Sequence, residues 1–94
     1  MNGEPLRRTI LITNSQGLHM RPITSFVELA SKFQSAVRVV KEGQPPINGK
    51  SPLGLLGLAA EKGTELILEA EGPDAEQALQ ALATFVENLV IEEP

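Results

Sequence analysis

Short extended runs alternate with two stretches of helical periodicity, and this alternation limits the possible fold more than any other feature of the chain. From Met20 to Phe33 the apolar residues recur every three or four positions, which is the spacing of one helix face. A second stripe with this spacing follows Asp74, the predicted N-cap, and Gln77 stands in the capping-box position. Its apolar members are Ala75, Ala78, Leu79, Leu82, Phe85, Val86 and Leu89. Each stripe needs an apolar surface to cover it.

Four runs between and around these helices are predicted to supply that surface as a sheet. Thr9–Thr13, Val37–Val40 and Thr64–Ala70 are rich in residues that favour strands. Pro46–Asn48 is predicted to form a third strand at a sheet edge, because proline cannot donate a backbone hydrogen bond.

A short additional helix is predicted over Pro52–Ala60. Ser51 is its expected N-cap, and the proline that follows suits the first helical position. Lys62-Gly63 is the expected end signal. The resulting order, β-α-β-β-α-β-α, predicts an α+β open-faced sandwich with its helices on one face of the sheet.

Composition narrows the function classes. With 94 residues the chain is expected to form a single domain over 1–94, and with three Phe and no Trp or Tyr its core must be aliphatic. The absence of Cys excludes thiolate chemistry, and one His with scattered carboxylates predicts neither a metal site nor a cofactor. A net charge of −4 argues against nucleic-acid binding. No run is long enough for membrane insertion and no signal peptide is evident, so a cytoplasmic location is expected.

The segment from Gly17 to Pro22 carries the chemistry. It leads from a loop into a helix, and Pro22 in the first turn places His19 at or just before the helix cap. Unpaired backbone N–H groups and the helix dipole favour an anion there. Arg21 can bind phosphate oxygens with its forked guanidinium, and Gly17 permits a positive φ angle or a close approach.

Two interpretations of His19 remain open from these residues alone. A neutral imidazole is a nucleophile near pH 7, and its phosphorylated form is a reactive phosphoramidate that can release the group again. Equally, a lone His at a helix start, an exposed Arg and a first-turn Pro each have an ordinary structural explanation.

A resemblance to a known family favours the first interpretation. Gly17-Leu18-His19-Met20-Arg21-Pro22 closely resembles the active-site signature of HPr, the histidine-containing phosphocarrier of the bacterial phosphoenolpyruvate-dependent sugar phosphotransferase system. Lys50-Ser51-Pro52-Leu53-Gly54-Leu55-Leu56 resembles the regulatory-serine segment of that family. The resemblance runs from about Arg8 to Leu89, and it implies a four-stranded antiparallel sheet with three helices on one face.

The resemblance also implies roles and partners. His19 matches the histidine that Enzyme I phosphorylates on Nδ1, Arg21 the arginine that balances the phosphoryl charge, and Pro22 the helix-start proline. Ser51 matches the serine that HPr kinase/phosphorylase modifies in many relatives. The acceptors in the family are sugar-specific IIA proteins, and a monomer suits a carrier that binds partners in turn.

Two positions depart from the family pattern, and both concern docking. Met20 stands where the family usually has a small residue, and Pro52 where it has an aliphatic one. One short helix cannot bury Leu53, Leu55, Leu56 and Leu58 together, so some are expected to be exposed. The resemblance favours a partner-binding patch of Met20, Pro52, Leu53 and Leu56. Arg7, Arg8, Lys32 and the acidic Glu92-Glu93 end are expected to be solvated.

Three function classes follow. The first is a phosphocarrier of sugar transport. The second is a regulatory HPr-like protein of nitrogen or carbon control without sugar transport. The third is a ligand-binding α+β module without phosphotransfer, which the histidine motif argues against. An independent enzyme is not expected, because the sequence shows no second catalytic group for His19 and no nucleotide motif.

Overall fold

The computed structural model describes residues 4–91, which form one four-stranded sheet and three helices. The strands are β1 (Leu6–Leu11), β2 (Ala36–Lys41), β3 (Ile47–Asn48) and β4 (Glu65–Glu71). The helices are α1 (Met20–Ala30), α2 (Pro52–Gly57) and α3 (Ala75–Glu87). The sheet order is β1-β4-β2-β3, with every neighbouring pair antiparallel. This confirms the predicted α+β open-faced sandwich and the edge position of the third strand.

One face of the sheet is apolar and is covered by the helices. Strand side chains alternate between the two faces, so every second residue points to the helices. The buried strand residues are Ile10, Val37, Val39, Leu66, Leu68 and Ala70. Helix residues pack on them, and Phe26 and Phe85 meet edge to face with ring centroids 6.3 Å apart. The core is therefore aliphatic with a single aromatic contact among the described residues, as the composition predicts.

The opposite face carries a row of charges across three strands. Glu69 on β4 accepts a hydrogen bond from Arg7 Nε at 2.8 Å and one from Arg38 Nε at 3.1 Å. Arg38 also donates to Glu71 at 3.1 Å. The hydrogen bonds from Arg7 and then Arg38 lower the pKa of Glu69, and those from Glu69 and Glu71 raise the pKa of Arg38. Arg7 is exposed to solvent, as expected, and is in addition paired with Glu69.

The first strand begins earlier than predicted. β1 starts at Leu6 and ends at Leu11, whereas the sequence indicated Thr9–Thr13. Pairing with β4 explains the shift, because backbone partners are available for every residue from Leu6 onward. Arg8 consequently lies in the strand, 3.7 Å from Glu87 of α3. Residues 1–3 and the Glu92-Glu93 end lie outside the described residues.

Two helices end before their predicted limits. α1 ends at Ala30 and not at Phe33, because the N–H of Lys32 donates to Leu29 O and tightens the last turn. α2 ends at Gly57, three residues before the predicted Ala60. Ala59 has a φ of +52°, a left-handed conformation that an α-helix cannot contain. The Lys62-Gly63 signal belongs to the following turn before β4.

The predicted capping box of α3 is wrong. Asp74 is the N-cap residue, but its side chain makes no cap hydrogen bond. Its carboxylate accepts instead from the N–H of Gln34 and the N–H of Ser35, both at 2.9 Å, and from the Ser35 hydroxyl at 2.6 Å. These bonds join the start of α3 to the loop before β2. The Ser35 hydroxyl, followed by the Gln34 N–H, lowers the pKa of Asp74.

Candidate functional site

His19 is the N-cap residue of α1, as predicted. Its backbone is extended, with φ −100° and ψ −174°, and its carbonyl accepts the N–H of Ile23 at 3.0 Å. The side chain makes no cap hydrogen bond and is half-buried. The backbone of His19 therefore starts the helix while the helix leaves its imidazole free for other chemistry.

The loop before His19 is held against the segment that follows α2. Gly17 has a φ of +68°, and a Cβ at this position would collide with the carbonyl oxygen of Ala60. Leu18, which is buried, donates its N–H to that same oxygen at 2.9 Å. Both properties anticipated for Gly17, the positive φ and the close approach, are present. The loop is thereby fixed on one side of His19.

Two backbone donors at the start of α1 are open. The N–H groups of Met20 and Arg21 have no hydrogen-bond acceptor within residues 4–91, and Pro22 has no N–H to satisfy. The first turn contains no acidic residue, so no carboxylate opposes the positive end of the helix dipole. Arg21 is exposed and forms no ion pair with any described residue. An anion beside His19 would therefore find two amides and a guanidinium.

Ser51 closes the start of α2, as predicted. Its Oγ accepts the N–H of Gly54 at 3.0 Å, and Pro52 occupies the first helical position. Ser51 is half-buried and Pro52 is exposed. The unusual proline is thus compatible with a regular cap.

The leucines near α2 divide between core and surface. Leu55 and Leu58 are buried, whereas Leu53 is 81% exposed and Leu56 43%. Met20, on the neighbouring α1, is 54% exposed, and α1 packs against α2. The expectation that some of these leucines face solvent is confirmed. Helices α1 and α2 both present large apolar side chains to solvent.

Sequence reasoning missed two polar residues near this site. Asn14 is 3% exposed, and its Nδ2 donates to the carbonyl of Gly17 at 2.8 Å. An Asn three residues before a Gly is a recognisable signal for such a turn. Lys41 Nζ donates to the carbonyl of Leu58 at 2.9 Å, beyond the end of α2. A contact between residues so far apart in sequence leaves no local signal.

Residues 4–91 contain no cluster of three or more His, Asp or Glu side chains placed to hold a metal ion. In the same range no helix has the length and apolar character to cross a membrane. The fold and the site together define a small α+β domain that presents a histidine, open amides and an unpaired guanidinium at one helix start.

Comparison with known proteins identifies the family of this domain. A family model described as "PTS HPr component phosphorylation site" matches residues 6–88. The phosphocarrier protein HPr of Neisseria meningitidis serogroup B is 43% identical over 81 residues, covering 86% of this chain and 90% of that protein. The HPr-like protein Crh of Bacillus subtilis is 43% identical over 74 residues, covering 79% and 86%.

Solved structures agree with this assignment. The crystal structure of HPr-C-His from Thermoanaerobacter tengcongensis superposes with a TM-score of 0.87 at 40% identity, covering 95% of this chain and 99% of that one. A crystal structure of an HPr dimer from the same organism gives 0.70 at 42% identity, covering 84% and 90%. The chain belongs to the HPr family of phosphocarrier proteins of the phosphotransferase system.

Proposed function

We propose that this protein accepts a phosphoryl group on His19 from phosphorylated Enzyme I and passes it to IIA proteins of the phosphotransferase system. One observation carries the proposal. The free imidazole of His19, the open amides of Met20 and Arg21, and the unpaired guanidinium of Arg21 share one helix start. The chain acts as the substrate of other enzymes and not as an enzyme itself.

In the proposed step, a ring nitrogen of neutral His19 attacks phosphorus, with Nδ1 favoured by the family resemblance. The new N–P bond forms while the bond from phosphorus to the donor breaks, and the donor keeps that electron pair. The amides and the guanidinium of Arg21 stabilise charge on the phosphoryl oxygens. Transfer to the acceptor repeats the exchange in the opposite direction.

The decisive experiment is incubation with phosphoenolpyruvate and Enzyme I, followed by intact mass measurement. We expect wild type to gain one phosphoryl group that is labile in acid and stable in base. His19→Ala should fold and gain none, whereas Ser25→Ala, an exposed change on the same helix, should behave as wild type. Phosphorylation of His19→Ala would contradict the proposal.

We propose that Met20, Pro52, Leu53 and Leu56 form the surface on which Enzyme I and the IIA proteins bind in turn. The large exposed fractions of Leu53 and Met20 support this assignment. Leu53→Asp should raise the KM for this protein as a substrate of Enzyme I and leave kcat unchanged. Ile91→Asp is the matched control, because Ile91 is 76% exposed and lies beyond α3. Equal effects of the two changes would contradict the assignment.

We further propose that the protein works in the cytoplasm as a monomer and that HPr kinase/phosphorylase modifies Ser51. Because an HPr from Thermoanaerobacter tengcongensis has been crystallised as a dimer, sedimentation at micromolar concentration is the relevant test of assembly. A concentration-independent monomer mass is the expected result.

The similarity to Crh, described with its solution structure as the Bacillus subtilis catabolite repression HPr, supports a second candidate, a regulatory protein of nitrogen or carbon control without sugar transport. Both candidates use the same chemistry at His19 and differ in the acceptor. Transfer from phosphorylated protein to sugar-specific IIA proteins would favour transport. Transfer confined to regulatory acceptors would favour the alternative.

A further inference from the structure

The side chain of Asn14 closes the turn that leads to His19. Its Nδ2 donates to the carbonyl oxygen of Gly17 at 2.8 Å, and the N–H of Gly17 returns a bond to the carbonyl of Asn14 at 3.2 Å. The side chain is 3% exposed, so water competes little for this contact. Asn14 and Gly17, both buried, thus hold each other through two bonds across a turn whose two middle residues are exposed.

The same carbonyl oxygen also contacts the phosphoacceptor residue. The backbone N–H of His19 donates to Gly17 O at 3.2 Å, so this oxygen accepts from both Asn14 and His19. A shift of the Gly17 carbonyl would therefore move the N-cap backbone from which the imidazole projects. One peptide group links the buried amide to the reacting residue.

We infer that Asn14 is a positioning residue, which sets the place of His19 for phosphoryl transfer through the carbonyl of Gly17. The inference rests on the proposed function of His19. Asn14 has no contact with the phosphoryl group in this role. Its effect is to limit where the imidazole lies relative to the open amides of Met20 and Arg21.

The other end of the same amide argues against a role in stability alone. Asn14 Oδ1 is buried and has no hydrogen-bond partner among the described residues. A buried acceptor without a donor opposes folding, and this offsets the gain from the bond to Gly17. The bond from Nδ2 to the Gly17 carbonyl, by contrast, is direct and short.

A second anchor explains why the turn should move and not unfold when Asn14 is changed. Leu18 donates its N–H to the carbonyl of Ala60 at 2.9 Å, and this bond does not involve residue 14. With one anchor of two removed, the loop keeps its path, but the Gly17 carbonyl gains freedom. Small displacements of a reacting group cost up to about 100-fold in rate.

The test compares Asn14→Asp, Asn14→Ala and a control at the other end of α1. Asn14→Asp keeps the shape of the side chain and removes its N–H donors, and Asn14→Ala provides the measurement if the buried carboxylate prevents folding. Ser35→Ala is the control, because Ser35 is 1% exposed and loses a side-chain hydrogen bond to Asp74. Ser35 follows the C-terminal end of α1, whereas His19 stands at its N-terminal end. The eleven residues of this helix span about 16 Å.

The rate of phosphorylation by Enzyme I and the NMR resonances of His19 are measured for each variant at equal folded fraction. We expect both Asn14 variants to lose about 10-fold in kcat with an unchanged KM, and to shift the backbone and ring resonances of His19. Ser35→Ala should change neither. Wild-type kcat in the Asn14 variants, or the same loss in Ser35→Ala, would overturn the inference.

The two readouts separate this inference from the proposed function. If wild type accepts no phosphoryl group, the proposed function fails, and the resonances still report whether Asn14 places His19. Unchanged His19 resonances in both Asn14 variants would then overturn the positioning role.

Discussion

The starts of α1 and α2 differ in how their backbone donors are satisfied. At α2 the hydroxyl of Ser51 accepts the N–H of Gly54, so the chain closes that start with its own side chain. At α1 the side chain of His19 caps nothing, and the amides of Met20 and Arg21 remain open. A serine cap contributes about 0.5–2 kcal/mol, and α1 lacks this stabilisation. The helix start that carries the candidate acceptor is thus the one left ready for an external anion.

The largest effect is expected from closing α1 in the same way as α2. In His19→Asp a carboxylate stands where it can accept the open N–H of Arg21. We expect stability to rise by about 0.5–1 kcal/mol, because Asp is a good cap and its charge suits the helix dipole. Phosphoryl acceptance should disappear with the imidazole. Denaturant unfolding and intact mass measure the two effects, and a loss of stability would contradict the view that this start is uncapped.

The next largest effect tests whether the guanidinium of Arg21 contacts the phosphoryl group at the start of α1. Arg21→Ala should slow transfer by about 10- to 150-fold, which corresponds to roughly 1.5–3 kcal/mol for one charge-assisted phosphate contact. Stability should not change, because Arg21 makes no ion pair with the described residues. Lys32→Ala, another exposed cation on the surface, is the matched control. Equal rates for wild type and Arg21→Ala would assign Arg21 to the surface charges.

The start of α3 shows a third arrangement. The side chain of its N-cap residue, Asp74, binds the loop before β2 and not its own helix. Hydrogen bonds from the Ser35 hydroxyl and the Gln34 N–H lower the pKa of Asp74 below its ordinary value of 3.8. Its contribution to stability is therefore complete above that value, and it disappears as pH falls through the lower pKa of the folded state. Asp74→Asn should reduce the loss of stability between neutral and acid pH. The measurement is the free energy of unfolding of both proteins at several pH values. A difference between the two proteins that does not change with pH would contradict this expectation.

The contrast among the three helix starts shows what sequence can predict. Local patterns sufficed for the caps at His19 and Ser51, because a cap depends on residues within one turn. The alternating strands and the edge position of β3 follow equally from local periodicity and from proline chemistry.

Contacts between distant segments explain the errors. Leu6 is drawn into β1 by pairing with Ala70, and Asp74 turns from its own helix toward Ser35. The burial of Asn14 against Gly17 depends on how the loop between them packs on Ala60. Such contacts form only in the assembled fold. A local sequence pattern contains no information about them.

The smallest effects are expected at the closed start of α2. Ser51→Ala should lose about 0.5–2 kcal/mol of stability as a lost cap, and His19 should remain fully active. Ser51→Asp should retain the cap, since a carboxylate can accept the N–H of Gly54 as the hydroxyl does. Unfolding midpoints measure this part of the comparison, and equal stability of all three proteins would show that the cap bond contributes nothing.

Phosphorylation of Ser51 would add charge at the start of α2, and the backbone N–H groups there would remain hydrogen-bonded. A phosphate at a helix N-terminus is favoured by the same donors, so its charge of about −1.5 to −2 should leave the fold intact. It would place a hydrated anion beside exposed Pro52 and Leu53, where apolar docking would weaken and transfer to His19 would slow. Ser51→Asp should reproduce part of this slowing because it carries less charge. The measurement is Enzyme I-dependent phosphorylation of His19 in wild type and Ser51→Asp at equal folded fraction. Equal rates would show that Ser51 acts only as a helix cap. Pro52 would then be the residue to exchange, because it departs from the aliphatic side chain expected after the regulatory serine.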